Sequence, residues 1–494
     1  MRHARQTAVL ESINSVLGWD ERTVMPAEAG DFRAEQMTLL AGLIHERWTN
    51  REFGEWIGCL AESPLAAEPH SDAGTTIRRL KWQYDKRVKL PQKLVEALAH
   101  AGVVGQQVWQ KARNDDDFAA FRPALERIVE LKRQQADALG YAACRYDALL
   151  DEFEPEERTA SVATVLARLR DALVPLVAEI RASGRQPDRT VLQRSYPVDR
   201  QEAFGREAAA RIGFDFSRGR LDVTTHPFCS GLGPNDCRIT TRYDEHAPAM
   251  AFFGILHEAG HGIYEQGLRG DQYGLPPGEA VSLGIHESQS RLWENFVGRS
   301  RAFWEFFYPR AQTVFPAALG DVTLDAFYGA VNDVQPSLVR VEADEATYNL
   351  HILIRFELEQ SLLEGDLPVG DLPGAWNGKY AEYLGIVPPD NRLGVLQDIH
   401  WSGGAIGYFP TYSLGNLYAA QFFAQADADL GGLDRLFARG EFAPLRDWLG
   451  EKIHRQGQCY SAAELVQRIT GRPLGHESLV DHLRAKLGPL YGLA

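Results

Sequence analysis

Cysteine is scarce. The five in 494 residues (Cys59, Cys144, Cys229, Cys237 and Cys459) are scattered and include no C-x-x-C pair. Neither a disulfide framework nor a thiolate zinc site is expected, and a reducing cytoplasm suits the chain best. Long apolar runs are missing too, since no stretch approaches the ~18 consecutive apolar residues of a membrane span. Glu11, Ser12, Asn14 and Ser15 break up the N-terminal segment where a secretory signal needs an unbroken apolar core. Positive charge is in deficit: 52 Lys and Arg face 67 Asp and Glu, a net of −15, with no Lys/Arg run to relieve it. A nucleic-acid partner is therefore not expected. Internal repeats and low-complexity segments are absent, which argues against a solenoid.

What remains is the composition of a globular protein, 45% hydrophobic and 24% charged with 45 Gly and 25 Pro. At ~150 residues per domain the chain suits up to three domains or one large helical body. Apolar residues recur every three or four positions over 33–47, 122–139 and 157–182, the spacing of an amphipathic helix. The fold class is mainly α. Residues 1–494 read as one catalytic unit. The polar, Pro-containing segment from Gly184 to Gln201 is the best place to divide it into an N-terminal helical part, 1–183, and a second part, 202–494.

The one convincing strand signal follows that segment. Residues 220–228 and 236–244 are rich in Val, Ile, Thr and Tyr and flank Ser-Gly-Leu-Gly-Pro-Asn, which predicts a β-hairpin. Helical spacing then resumes from about residue 248, with expected interruptions at 372–380 and 402–412.

The sharpest motif is His257-Glu258-Ala259-Gly260-His261, set in a segment of helical period. Residues four apart share a helix face, so both imidazoles can reach one Zn²⁺, with Glu258 beside the bound water as general base. A catalytic zinc needs a third protein ligand. Glu287, 26 residues after His261, lies in a second helix candidate over 278–296. The flanking Ser-Leu-Gly-Ile and Leu-Trp-Glu-Asn-Phe predict that this helix is buried, and a buried carboxylate needs a partner such as a metal. His286 reads as a supporting or packing residue.

With these elements in place, the sequence resembles the carboxypeptidase Taq family of thermostable-type zinc metallocarboxypeptidases. Five motifs carry the likeness, in order: Asp236-Cys237-Arg238-Ile239-Thr240; His257 to His261; His286-Glu287-Ser288-Gln289; Val339-Arg340-Val341-Glu342-Ala343-Asp344; and Gly394-Val395-Leu396-Gln397-Asp398-Ile399-His400-Trp401. A departure is that Cys229 and Cys237 both fall in the hairpin, which bears on thiol sensitivity.

The resemblance implies a helical peptidase with a substrate groove between helical halves and a small β element beside the metal. His257, His261 and Glu287 then hold Zn²⁺, with Co²⁺ a possible substitute, and Glu258 moves the proton of the metal-bound water. His400 and Tyr412 stabilise the oxyanion, with Tyr408 as the alternative to Tyr412. Removing a C-terminal residue also requires recognition of a free α-carboxylate, which suits arginine's fork. Arg340 is the first candidate, Arg238 the second and Arg355 the third, each with an internal ion pair as its alternative, such as Arg340 with Asp344. Asp236 and Asp398 read as supporting carboxylates. The family also implies a homodimer, peptide substrates with a free C-terminus, broad residue preference and poor cleavage next to proline.

Three rival readings stand beside this one. The same chemistry suits a zinc oligopeptidase or endopeptidase. Glu258-x-x-His261 has a companion in Glu451-x-x-His454, the pattern of a di-metal carboxylate oxidase. A non-catalytic helical scaffold stabilised by metal is the third, although a purely structural zinc has no use for Glu258.

Overall fold

The helical spacing in the first third of the chain is realised as a run of helices ending at Ala182, including Gly30–Trp48, Phe118–Leu139 and Thr159–Ala182. In the second of these the side chain of Asp117 accepts from the Ala120 backbone N–H, and Pro123 sits in the following turn. A computed structural model describes residues 1–493. The fold is mainly α with one small three-stranded sheet, and no described helix is long and apolar enough to cross a membrane.

The chain forms two compact units. The first comprises Met1–Arg87, Pro187–Val331 and Tyr418–Pro473; the second comprises Val88–Gln186, Asn332–Leu417 and the chain from Leu474 onward.

In the first unit, the strands are β1 (Gly219–Val223), β2 (Cys229–Gly233) and β3 (Asp236–Thr241). The expected hairpin is corrected by their order, β1-β3-β2. Residues 220–228 do not fold back on β3: β1 pairs with it in parallel, Leu221 opposite Ile239, and the Ser-Gly-Leu-Gly stretch assigned to the turn is itself β2. The hairpin joins β2 to β3 through Pro234 and Asn235. Proline presets the first turn position, and Asn235 takes the second at φ 64. The helix Pro248–Gly267 packs on this sheet, where Phe214 and Ile239 close on Gly262. Its N-terminal half is pinned by aromatic rings, with Phe252 5.3 Å from Trp304 and Phe204 stacked 5.1 Å from Phe252.

In the second unit, the expected break at 372–380 is instead the start of a helix, Leu372–Leu384. Pro373 lies in the first turn, where no intrahelical donor is needed. Trp376 and Tyr380, one turn apart, stack at 5.2 Å and are buried. That aromatic face outweighs the two glycines that make the segment look loop-like. The expected interruption at 402–412 does occur, as a short turn over His400–Gly403 followed by irregular chain up to Pro410.

Candidate active site

His257 and His261 project from one face of the helix Pro248–Gly267, and Glu287 comes from the next helix, Leu283–Arg291, which Ser282 caps by accepting from the Ile285 N–H. Gly260 makes this approach possible. A Cβ there would lie 2.6 Å from the Gln289 carbonyl oxygen and 2.7 Å from Ser290 Cα, so a larger residue would force the helices apart.

Glu287 Oε2 stands 3.9 Å from His257 Nε2 and 3.5 Å from His261 Nε2. Ligand atoms of the three residues all lie within 4.8 Å of one another. The other ring nitrogens are occupied. His257 Nδ1 is 3.0 Å from Glu294 Oε2, and His261 Nδ1 is 2.6 Å from His286 Nδ1. His286 Nε2 in turn lies 2.7 Å from Glu265 Oε1. With Nδ1–H donating in both ligand candidates, each Nε2 presents a lone pair. Two imidazole nitrogens and a carboxylate oxygen converging within 4.8 Å of one another fit a metal ion, and the nitrogen and carboxylate chemistry suits zinc.

Charge in the cluster is arranged to match. Burial opposes ionisation of Glu287, but Arg291, 2.7 Å from its Oε1, and the two imidazoles hold its carboxyl well below the usual range. Burial likewise opposes the charge on Glu294, and His257, Arg291 and Arg299 overcome it. The His261 imidazole is pushed down to about 3, chiefly by burial. Burial also works against protonation of His257, yet Glu287 and Glu294 raise it above its ordinary value.

Glu258 differs from the other carboxylates here. It is buried, it makes no hydrogen bond or ion pair with a described residue, and burial, reinforced by Glu287 and Glu294 against His257, pushes it up to about 7. A carboxyl poised near neutrality suits proton transfer in both directions.

The remaining sequence candidates, apart from Arg238, form a second cluster, in the second unit. Arg340 donates from Nε and Nη2 to Asp398 Oδ1 at 3.0 and 2.9 Å, and from Nη1 to the Tyr348 hydroxyl at 3.0 Å. Its ion pair is therefore with Asp398. Asp344 instead accepts from the backbone N–H groups of Ala346 and Thr347. Arg355, fully buried, donates from Nε to Asp398 Oδ2 at 2.7 Å. Burial opposes the charge on Asp398, and the two arginines hold its carboxyl far below the usual range. His400 lies with Nε2 3.4 Å from the Tyr412 hydroxyl and its ring 5.4 Å from that of Tyr408. Burial lowers His400 to about 4, leaving a neutral imidazole at physiological pH.

Arg238 lies on β3 in the first unit and is held by Asp236 through two bonds of 2.9 and 2.8 Å. Of the oxidase pattern, His454 bonds to Gln289 at 3.0 Å while Glu451 is largely exposed beside Lys452. Among the described residues, the His257–His261–Glu287 group is the one metal-competent cluster.

Three participants escaped the sequence reading. Glu265 follows His261 by one helical turn, a spacing that was available to read. Arg291 stands in the same relation to Glu287. Glu294 was hidden because Leu292–Gly298 winds as a π-helical turn, which changes the phase that spacing arguments assume.

Comparison with known proteins agrees with this geometry. Residues 1–487 match the family model of the carboxypeptidase Taq (M32) metallopeptidases. The chain is 47% identical to Thermostable carboxypeptidase 1 of Thermus thermophilus, covering 99% of this chain and 97% of that protein. It is 38% identical to Carboxypeptidase 1 of Bacillus subtilis, over 97% and 95%. A solved M32 carboxypeptidase from Deinococcus radiodurans R1 superposes with a TM-score of 0.96 at 40% identity, covering 99% of this chain and 98% of that one. The chain thus belongs to the carboxypeptidase Taq (M32) family and is a metallocarboxypeptidase.

Proposed function

We propose that this metallocarboxypeptidase removes C-terminal residues, with broad preference and poor cleavage next to proline, using zinc held by His257, His261 and Glu287 and Glu258 as general base and then acid. The observation that carries the assignment is the buried Glu258 carboxyl, unpartnered beside a donor set that needs a cation. Zinc, when bound, supplies the Lewis acidity that activates water at neutral pH and polarises the scissile carbonyl; cobalt is an acceptable substitute. Glu258 takes the proton from the attacking water and returns it to the leaving amine. Glu294 and the His286–Glu265 pair fix the tautomer and tilt of the two imidazoles.

His400 and Tyr412 donate to the developing oxyanion, with Tyr408 the alternative to Tyr412. Arg340 is the leading partner for the terminal carboxylate. Its bonds to Asp398 and Tyr348 use three of the five guanidinium N–H groups, and the charge remains available to a carboxylate. Arg238 is the second candidate, with two of its nitrogens bonded to Asp236.

The working protein is proposed to be a cytoplasmic homodimer, with neither nucleic acid nor membrane as a partner. Five free cysteines suit a reducing compartment. Exposed Phe32, Leu39 and Leu43 recur on one face of the helix Gly30–Trp48, a surface that a second copy would cover.

The test compares an N-blocked peptide bearing a free C-terminus with its C-amidated twin, before chelation, after it, and after Zn²⁺ or Co²⁺ is returned. Stepwise loss of C-terminal residues from the free peptide alone, abolished by chelator, is the expected result. Internal cleavage of both peptides would replace this reading with the oligopeptidase one.

A further inference from the structure

The segment that carries His400, Tyr408 and Tyr412 has little regular structure of its own. It consists of a short turn over His400–Gly403, left-handed glycines at Gly404 (φ 78) and Gly407 (φ 91), and a helix that begins only at Pro410. Groups that must meet a developing charge cannot sit on a loose loop, because misplacement of about 1 Å can lower the rate about 10²-fold. Something must hold this segment, and one buried carboxylate bonds to both ends of it.

Glu359 lies in the helix Tyr348–Glu364, one turn beyond Arg355, and is fully buried. Its Oε1 accepts from Trp401 Nε1–H at 2.7 Å. Its Oε2 accepts from the Gly407 backbone N–H at 3.1 Å and from the Tyr146 hydroxyl at 2.6 Å. Trp401 is the neighbour of His400, and Gly407 precedes Tyr408 and lies five residues before Tyr412, so the two oxygens of one carboxylate pin the chain beside His400 and ahead of both tyrosines. Gly407 also passes so close to the neighbouring backbone that a Cβ would lie 2.8 Å from the Leu149 carbonyl carbon, which leaves the loop a single path.

The same helix holds the segment just before the loop through Arg355 and Asp398. The charged groups that act on or with Glu359 are Arg355 and the largely buried Lys132, whose Cε is 3.2 Å from where a Gly404 Cβ would stand; Glu152 also acts on Lys132. A carboxylate is an expensive choice for a site so dry. Its two-sided acceptor geometry is what an amide or a hydroxyl cannot supply, since three donors converge on it and none needs to be paired by water.

We propose that Glu359 is a positioning residue for the reaction: it fixes the spacing of His400 from Tyr408 and Tyr412 by joining Trp401 to Gly407. The proposal rests on the reading above, in which His400 and a tyrosine serve the oxyanion.

The experiment introduces Glu359→Gln into the metal-loaded wild-type chain and into His400→Ala and Tyr412→Phe backgrounds. In the wild-type background kcat is expected to fall about 10–100-fold, with KM within about threefold and metal content unchanged. In at least one of the two backgrounds the same substitution is expected to change kcat by less than about threefold, because the group it serves is already gone. Hydrogen exchange at 401–407 should accelerate while the helix Tyr348–Glu364 keeps its protection. If Glu359→Gln does not fold, Tyr146→Phe, which removes one donor and leaves the carboxylate, is expected to lower kcat about 3–10-fold with the same pattern across backgrounds.

Equal fold-losses in all three backgrounds would make Glu359 mere structural support and overturn the proposal. So would a folded Glu359→Gln protein with wild-type kcat, or unchanged exchange in the loop. A wild-type chain that cuts no peptide would refute the reading of the reaction instead, and loop exchange would then decide the role of Glu359 by itself.

Discussion

Two buried charged clusters invite comparison, the His257–His261–Glu287 group in one unit and the Arg340–Arg355–Asp398 group in the other. Both are largely shielded from water and both bend carboxylate titration far from its ordinary range. They differ in closure. In the second, each oxygen of Asp398 receives guanidinium N–H groups, so the carboxylate is met by donors within the protein. In the first, the outer ring nitrogens are bonded to Glu294 and His286, and the inner ones converge with the Glu287 carboxylate. A cluster whose acceptors are all met by donors holds its own side chains in place. A convergent cluster of imidazole and carboxylate groups can hold a cation, and Glu258 beside it is a carboxyl without a structural task.

The comparison can be broken most forcefully by chelation, which should lower peptide hydrolysis by more than about 10³-fold while leaving unit-two stability untouched; peptide turnover and a thermal melt on the same sample check it. Asp398→Asn acts on the closed cluster instead. It leaves two buried guanidinium groups facing an amide and is expected to lower stability by about 3–5 kcal/mol, read by denaturant unfolding, with metal content retained.

Acid should act on a third group of paired charges. The second unit also holds Glu345 against Lys486 at 2.6 Å and His482 at 3.0 Å; burial opposes its charge, yet these cations lower it to about 2. A depressed carboxyl contributes stability that is fully present above its unfolded value of about 4.5 and is lost as pH falls through its folded value. Stability should therefore fall between about pH 4.5 and 2, and Glu345→Gln should flatten that part of the curve, as melts across that window would show. The smallest effect is expected at the rim of the convergent cluster. Glu294→Gln takes the charge from the partner of His257 Nδ1 and should weaken metal affinity about 10–100-fold, measured by competition with a chromogenic chelator.

The two clusters were not equally legible in the amino-acid sequence. His257 and His261 announce themselves because helical spacing converts i, i+4 into a shared face. Glu287 could be read from the apolar residues around it. The partners of Arg340 could not, since Asp398 lies 58 residues downstream and no local period links the two. The same limit explains the fold-level corrections. β1 pairs in parallel with β3, a non-local choice, while the nearby glycine-rich stretch became β2 rather than a turn. At Leu372–Leu384 local glycine and proline suggested a break, and the buried Trp376–Tyr380 face decided for helix.

The most direct measurement of the central claim compares Glu258→Gln with Glu287→Gln for bound zinc and for hydrolysis of a free-C-terminal peptide. The account predicts that Glu258→Gln keeps about one zinc per chain yet loses at least about 10²–10⁴-fold in kcat, whereas Glu287→Gln loses metal and activity together. A Glu258→Gln protein that hydrolyses the peptide as fast as the parent, or a Glu287→Gln protein that holds zinc as tightly as before, would contradict it.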